Sequence, residues 1–460
     1  MRCINAKRQC GGYQNDLVGY RQYGLPGAAK NFSSSMSTAR KCTLPKRVPI
    51  PGTDILPEDT IPTEITLDES NALALRAFYY DFCVVSTNRN LSRGYLAGLE
   101  QMIGRLGPKS DLAKVCQAIA CASHGKPGQR PQFVQRAETS YHQLLGSLAR
   151  TIEESNSVNN AEPRLVAMLL GLYQMVMTNL HDHGAHEIHA RGLATLLKIE
   201  NSPLSLLGPI MTAQNPGLAR KHKDLGIFSV PSMSEISPTL DDLLVRLGVL
   251  WQRSEESTAP LDVFTLEEEC RELDQQFAKW QYFRSPEFRP TTVHKIDLDQ
   301  GAQRVAVGYW PGKIDTYFDL YVAGVWNIFR AARLILLGLS TTSNGTLGNE
   351  GNSMQYIKTT NHIVGDIFAS IPYHLADNLP VFVEGIGKNA DVDRGRTLGG
   401  LLLMHPLYVV SKISFLPDKT REYARDCLRC IGDEMGIGQA CLMADDILGK
   451  WVYDYMARLS

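Results

Sequence analysis

From Thr66 onward, apolar residues recur at the spacing of an amphipathic helix along most of the chain. The segment that starts at Pro163 shows the pattern most clearly. Proline suits the first turn of a helix, and apolar residues then repeat at intervals of three, four and seven. Those apolar residues are Leu165, Met168, Leu169, Leu172 and Val176. They predict a helix with one buried face.

A capping box predicts the start of the first helix. In the order Thr-Leu-Asp-Glu, the Thr66 hydroxyl can accept from an early backbone N–H, while Glu69 reaches back to the threonine N–H. An apolar stretch follows, ALALRAFYYDFCVV. Further helices are predicted over residues 92–106, 110–123, 131–153, 163–180, 184–199, 239–253, 264–281, 314–339, 355–371, 397–413, 418–435 and 437–457. Residues 304–310, RVAVGYW, are the best candidate for a short extended piece.

Two breaks interrupt the helical pattern, at residues 342–354 and 383–396. Glycine and asparagine dominate the first, glycine and charged residues the second, and both predict exposed loops. Alternating strand patterns are scarce, and no repeat of fixed period stands out. The sequence therefore predicts an all-α fold, in which residues 66–460 form one large multi-helical bundle.

The first 65 residues have a different character. Residues 14–65 hold six prolines and the run NFSSSMST, and repeated prolines break helices, so this segment is predicted to be a largely disordered linker. Residues 1–50 contain nine basic side chains and one acid, Asp16. Such a basic arm either points to a polyanion or is a solvated tail, and its residues leave both interpretations open.

Composition excludes some classes of function. Hydrophobic residues make up 44% of the 460 residues and the net charge is −1, so the chain can bury a large core but has no overall field for nucleic acid. The longest strongly apolar stretch, residues 165–177, is too short to span a bilayer, and no membrane association is predicted. Ten scattered cysteines suit a reducing compartment.

Candidate metal chemistry begins at Cys3 and Cys10, which are separated by six residues that include Lys7 and Arg8. A single pair of this spacing is weak as a metal signal, because two thiolates cannot fill a tetrahedral zinc site. Taken alone, the pair is better explained as two incidental cysteines in a tail.

The segment MRCINAKRQCGGY nevertheless resembles the end of the fungal binuclear zinc cluster. That pattern closes with Cys, two residues, Cys, six to eight residues and Cys, often followed by Gly-Tyr. The resemblance gives Cys3 and Cys10 the fifth and sixth zinc-ligand positions and Gly12-Tyr13 the tail of the motif. The fourth ligand would fall immediately before Met1, so residues 1–13 are expected to be the remnant of a truncated DNA-binding motif.

This resemblance implies impaired DNA binding in the chain as given. Zinc supplies the folding energy of such modules, and zinc would bind only if the missing upstream cysteines exist. Without the helix that these modules place in the major groove, residual affinity from the basic arm would be non-specific and salt-dependent.

The resemblance extends through the body. RGYLAGL, SDLAKVCQAIACASHG, AETSYHQLLGSL, IHARGLATLLKIEN, VWNIFRAARLILL, LLLMHPLYVVSK and IGDEMGIGQACLMAD follow in the order found in the fungal-specific transcription factor domain. His189 and Gly192 take the positions of its His-x-x-Gly helix. One departure is His405, where the family usually has tryptophan before Pro-Leu-Tyr.

The family comparison implies a transcription regulator in the nucleus or shuttling to it. The helical region would mediate autoinhibition, respond to a small-molecule effector or contact coregulator proteins. DNA would be a partner if the protein extends upstream, and the targets would be a metabolic or secondary-metabolite pathway.

Other residues support structural interpretations. The stripe around Trp326, Phe329 and Leu336 predicts core packing rather than a cofactor site. Arg330 and Arg333 on the same helix are expected to form buried pairs with acids, because an unpaired buried guanidinium is costly.

Three motifs offer competing chemistry. The four histidines of HDHGAHEIH, residues 181–189, could hold a metal, but they lack the His-Glu-x-x-His spacing, so a helix that merely bears histidines is favoured. Cys427 and Cys430 could form a redox pair, but their amphipathic surroundings favour a structural role. GIGKNADVDRG lacks the strand-before, helix-after context of a dinucleotide site.

Two further hypotheses stay open beside the regulator. The helical body, freed from DNA, could serve as an enzyme or small-molecule-binding protein, which a deep pocket with perturbed titratable groups would favour. It could instead sequester a full-length paralogue. The sequence predicts no catalytic residue and no bound cofactor.

Overall fold

The computed structural model describes residues 66–128, 130–153, 161–178, 238–256, 260–297, 305–343, 350–386 and 393–446. The chain divides into two compact units, Met1–Leu73 and Ala74–Ser460, and only residues 66–73 of the first are described. The predicted arm and linker, residues 1–65, therefore lie outside the described residues.

Thirteen α-helices account for 74% of the described residues, which confirms the predicted all-α class. In chain order they are α1 Leu67–Phe82, α2 Leu99–Leu106, α3 Asp111–Gly125, α4 Pro131–Glu153, α5 Ala161–Met177, α6 Leu240–Glu256, α7 Pro260–Tyr282, α8 Leu320–Ser343, α9 Glu350–Leu375, α10 Leu379–Gly385, α11 Thr397–Lys412, α12 Asp418–Met435 and α13 Gly438–Ala444. A short 3₁₀ turn, Pro286–Phe288, and two strands, β1 Thr291–Ile296 and β2 Gly312–Thr316, lie between α7 and α8.

Local sequence signals explain where several helices begin and end. The predicted capping box is confirmed: the Thr66 N–H donates to Glu69 Oε2 at 2.8 Å, and the Glu69 N–H donates to Thr66 Oγ1 at 3.3 Å. The Ser110 hydroxyl accepts from the Ala113 N–H at the start of α3. Helix α12 ends at Gly436, whose left-handed φ of 78° suits a C-terminal glycine.

The helices of the second unit pack in a chain of neighbours. Helix α3 lies against α4 and α5, α7 lies between α6 and α8, and α8 contacts α9 and α11. Helix α12 packs on α11, and α13 packs on both α12 and α5. The last described helix therefore contacts a helix from the amino-terminal part of the second unit.

An aromatic cluster joins α7, the 3₁₀ turn and α8. The rings of Trp280 and Trp326 lie 5.7 Å apart at an interplanar angle of 69°, and Phe288 and Phe329 complete the cluster. The Trp326 indole N–H donates to the Phe288 carbonyl at 2.7 Å, which satisfies its one polar atom in the core. The predicted packing role of the Trp326 stripe is confirmed, since Leu336 is also buried.

The extended segments lie elsewhere than predicted. Residues 305–310 form turns around Gly308, with a φ of 87°, whereas the antiparallel pair β1–β2 covers residues 291–296 and 312–316. Strand β1, TTVHKI, is exposed except for Ile296, so it lacks the alternation that identifies a half-buried strand. Pairing with β2 defines it instead.

Two predicted helices begin late. The helix predicted over 92–106 starts only at Leu99, because Gly94, Leu96 and Gly98 all take positive φ angles that a helix cannot hold. The helix predicted from 314 starts at Leu320, after β2. Helix α10 is an element that the sequence pattern did not predict. The helix predicted over 437–457 ends early, at Ala444, because Asp446 takes a positive φ of 61° that a helix does not hold. Residues 447–457 and the helix predicted over 184–199 lie outside the described residues.

Helix α8 is the one element of the described part of the chain that has the length and composition of a membrane span. In residues 320–339 the most apolar window is 83% buried inside the fold. A largely apolar helix that is covered by protein on most of its surface is the expected centre of a large helical core.

Candidate functional site

A cleft of about 410 Å³ opens where α8 begins, α9 ends and the chain leaves α1. Six of its lining residues are apolar: Val84, Val85, Phe318, Leu320, Ala376 and Leu379. The other six carry polar groups: Thr87, Asp319, Tyr373, His374, Asp377 and Arg396. Apolar walls with a few convergent polar groups are typical of sites for small molecules.

Short backbone bridges hold the walls of this cleft in place. Val84 pairs with Tyr95 through two backbone hydrogen bonds of 2.8 and 2.9 Å, which fixes the segment after α1. The Gly395 N–H donates to the Leu375 carbonyl at 2.7 Å, which fixes Arg396 beside the end of α9. These hydrogen bonds fix the relative positions of cleft segments that are far apart in the sequence.

The Arg396 guanidinium is held by backbone carbonyls rather than by an acid. Its Nε–H donates to the Tyr80 carbonyl at 2.5 Å, Nη2 donates to the Cys83 carbonyl, and the group lies 5.4 Å from the centre of the Tyr80 ring. Among the described residues no carboxylate forms an ion pair with it. The nearby Asp81 carboxylate lies 2.6 Å from His124 Nε2 instead. Burial lowers the pKa of Arg396, because the charged form loses hydration.

Asp319 caps the first turn of α8 with one of its two carboxylate oxygens. Oδ1 accepts from the Val322 N–H at 2.9 Å. Oδ2 is buried and has no hydrogen-bond partner in the described part of the chain. Burial raises the pKa of this carboxyl group, while the Ser92 hydroxyl and the backbone N–H groups of Val322 and Tyr321 oppose that rise. The cleft thus contains an acceptor atom with unused capacity.

His374 forms the inner end of the cleft and belongs to a buried polar network. Its Nε2 lies 3.1 Å from the Asn327 amide nitrogen, which can only donate, so Nε2 accepts and Nδ1 carries the proton. Nδ1 then donates to the Gly399 carbonyl at 3.1 Å. Burial lowers the pKa of His374 to about 3, so the ring is neutral at physiological pH.

The structure corrects the expectation for Arg330. No described acid forms an ion pair with this buried guanidinium: it donates to the Tyr317 hydroxyl at 2.8 Å and to Asn327 Oδ1 at 2.9 Å. Burial opposes the charge, but Tyr317 and the carboxylates of Asp366 and Asp315 outweigh burial and raise the pKa of Arg330. The rings of Tyr317 and Trp326 also flank the charge at 5.8 Å. Arg333 does pair with an acid, as expected, through two hydrogen bonds to Asp274 at 2.7 and 2.9 Å, but the pair is partly exposed rather than buried.

Cys427 and Cys430 favour the structural interpretation. Both are free thiols, with Cys427 buried in α12 and Cys430 accepting from Arg394 Nη1 at 2.9 Å. Burial raises the pKa of both thiols, which opposes the thiolate that redox chemistry requires.

His405, the residue that departs from the family pattern, lies in α11. Its Nε2 is buried and has no hydrogen-bond partner among the described residues. Burial lowers the pKa of this ring to about 4, so it is neutral near pH 7.

The predicted zinc ligands Cys3 and Cys10, and the histidines of residues 181–189, all lie outside the described residues. Within the described residues, no group of three or more His, Cys, Asp or Glu side chains could hold a metal ion. Sequence reasoning missed Asp319 and Arg396. Aspartate just before the apolar start of α8 is a recognisable N-cap signal, but nothing in the sequence places Arg396 beside it.

Comparison with known proteins gives one strong relative. The chain is 44% identical over 399 residues to transcription factor dbaG of Emericella nidulans, and the match covers 85% of this chain and 94% of the relative. No family model matches the chain. No solved structure matches it either.

Proposed function

The chain belongs to the family of transcription factor dbaG and is a transcription regulator; from that premise we propose that residues 66–460 form the regulatory region of a nuclear zinc-cluster factor. The observation that carries this proposal is the extent of the match, which covers 94% of a transcription factor at 44% identity. A match of 399 residues is far longer than a DNA-binding motif, so it must include most of residues 66–460.

Zinc-dependent DNA binding is the finer part of the proposal. Cys3 and Cys10 would supply two of the six thiolates of a binuclear cluster. The chain as given would then bind DNA only weakly, through the basic residues of its first fifty positions, and that binding would weaken steeply with salt. A protein that carries the four remaining cysteines would bind zinc and a specific site.

Regulation would pass through the helical body. By the resemblance to the fungal regulatory domain, the body would contact coregulator proteins and respond to a small-molecule effector, and the genes controlled would belong to a metabolic or secondary-metabolite pathway. The cleft at Arg396 supports the effector part, because its polar groups retain hydrogen-bonding capacity that no described residue uses.

A tethering experiment tests the regulatory role without requiring DNA binding by the chain itself. The full chain is fused to a heterologous DNA-binding domain upstream of a reporter gene. We expect reporter output to rise or fall severalfold relative to the DNA-binding domain alone. Output equal to that of the domain alone would contradict the proposal.

Two controls sharpen this test. The fusion with Gly399→Ala should lose its effect, because an added Cβ would lie 1.9 Å from a backbone oxygen of α9 and disrupt the fold. The fusion with Gly104→Ala should keep its effect, because nothing lies within 4 Å of a Cβ at that position.

Zinc content of the purified chain tests the metal part: tightly held stoichiometric zinc would contradict the idea of an incomplete cluster.

A second candidate function is small-molecule binding or catalysis by the body without any role on DNA. The cleft, with Asp319, His374 and Arg396 in its lining, is the observation that favours it. His374 is not suited to acid–base catalysis, since burial holds its pKa at about 3 and both ring nitrogens are engaged in the core. Binding is therefore the better supported form of this alternative.

A further inference from the structure

We propose that the cleft at Arg396 binds a small singly charged organic acid, with its carboxylate on Arg396 Nη1 and a hydroxyl group donating to Asp319 Oδ2. As an effector site the proposal rests on the regulatory function above, whereas as a binding site it stands alone. An aryl hydroxy acid meets all the requirements of the cleft, and each requirement follows from a different observation.

The anion requirement comes from Arg396. Two of its three guanidinium nitrogens donate to the backbone carbonyls of Tyr80 and Cys83, which fixes the plane of the group. The third, Nη1, has no partner among the described residues, although the side chain is half-buried and lines the cleft. A preorganised guanidinium with an unused donor and no ion-pair partner is a strong receptor for a carboxylate.

The hydroxyl requirement comes from Asp319. Its carboxylate charge is already stabilised by the first turn of α8, since Oδ1 accepts from the Val322 N–H. The buried Oδ2 still lacks a donor. A buried acceptor without a donor costs free energy, and a ligand hydroxyl would remove that cost.

Charge selects against other ligand classes. Arg396 is the one basic residue in the lining, beside two acids, Asp319 and Asp377. A single carboxylate is attracted at short range by the unused Nη1 donor, whereas the second charge of a phosphate would find no further cation and would add repulsion from both acids. An amine could donate to Asp319 Oδ2, but it would leave Arg396 Nη1 unpaired and would place a second positive charge in the same cleft. A single negative charge with a neutral hydroxyl is the remaining match.

Shape and polarity indicate an aromatic or similarly flat body. The walls include Phe318 and Tyr373, together with Val84, Leu320 and Leu379. The volume of about 410 Å³ lies at the lower end of the range for sites of small organic ligands. A compact ring acid would fill it, whereas a peptide or a long acyl chain would not.

The probe is 3-hydroxybenzoate, which carries both required groups and whose hydroxyl lies too far from its own carboxylate to donate to it. Its binding to the purified full chain is measured by protein- and ligand-observed NMR titration, beside benzyl alcohol, which lacks the acid, and benzylamine, which carries the opposite charge. For a ligand of about ten non-hydrogen atoms we expect a Kd of about 1 mM or lower. Benzyl alcohol and benzylamine should bind at least about tenfold more weakly.

Variants locate the binding. Val85→Glu adds a negative charge to an exposed residue at the cleft and should weaken the binding of 3-hydroxybenzoate about three- to tenfold. Val249→Glu makes the same change on an exposed part of α6 that does not line the cleft, and it should leave binding unchanged. Arg396→Gln should weaken binding about tenfold, and Val85→Glu keeps the test valid if that variant fails to fold.

The opposite results would overturn the proposal. A titration with 3-hydroxybenzoate that shows no saturation by about 10 mM, tighter binding of benzylamine, or equal losses in the Val85→Glu and Val249→Glu proteins would each do so. The tethered reporter separates the two proposals. A regulator that does not bind 3-hydroxybenzoate refutes only the binding site, and a chain that binds it but leaves the reporter unchanged refutes only the regulatory function.

Discussion

Replacing His405 by methionine should stabilise the chain and make it less sensitive to acid. The imidazole lies in α11 with Nε2 buried and unpartnered, and burial lowers its pKa to about 4 from an ordinary 6.5. Methionine has a similar volume, adapts to irregular packing and carries no strong hydrogen-bonding atom. At pH 8 we expect a gain of about 1 kcal/mol in the free energy of unfolding, because an unsatisfied buried nitrogen is removed.

The stability difference between His405→Met and the wild type grows as the pH falls. Because the folded pKa lies below the unfolded one, the unfolded chain takes up the proton first, and stability declines below about pH 6.5 until it levels off below about pH 4. With a factor of about 1.36 kcal/mol per pH unit, His405 alone costs about 2 kcal/mol between pH 8 and pH 5. This figure is an upper value, because the side chain keeps some contact with solvent.

Urea denaturation followed by far-UV circular dichroism at pH 8 and pH 5 measures the difference. His374, whose buried ring responds to acid in the same direction, is present in both proteins and cancels when wild type and His405→Met are compared. His294→Gln on exposed β1 is the matched control and should lose as much stability between the two pH values as the wild type. The reasoning is refuted if His405→Met also loses that full amount.

Three further changes probe other parts of the fold by urea denaturation. Lys126→Met should lower the free energy of unfolding by about 2 kcal/mol, because the Lys126 Nζ donates to three backbone carbonyls at the end of α5. An unchanged denaturation midpoint would contradict this capping role. A double-mutant cycle on Arg333→Met and Asp274→Leu should give a coupling of about 1–2 kcal/mol, since the pair is bidentate and only partly exposed; additive losses would exclude it. Gly399→Ala should lower the free energy of unfolding by about 3 kcal/mol or more, whereas Gly104→Ala should raise it by up to about 1 kcal/mol. Equal effects of the two substitutions would rule out the predicted backbone clash at Gly399.

Helix positions were predictable wherever periodicity and end signals agreed. The ranges 131–153 and 418–435 match α4 and α12, because each has a strong apolar stripe and a clear start at or beside a proline. Prediction failed where backbone geometry overrides side-chain pattern. The left-handed residues before α2 and the exposed strand β1 carry no periodic signal, so their conformation follows from their contacts.

The cleft could not be read from the sequence because its parts come from four separated segments. Arg396 reaches the carbonyls of residues more than 300 positions earlier, and Asp319 comes from the start of a third element. The pattern of apolar residues identifies which faces are buried, but it does not say which polar residues meet. The same holds for Arg330: the sequence predicts its burial but does not predict its partners, Tyr317 and Asn327.

The edge-to-face indoles of α7 and α8 give the protein an optical property of its own. Trp280 and Trp326 are close enough, and inclined steeply enough, for their excited states to couple. Such coupling produces paired bands of opposite sign in the ultraviolet dichroism of the folded chain, which vanish once the two helices separate. The junction of α7 and α8 can therefore be watched in real time without attaching any dye.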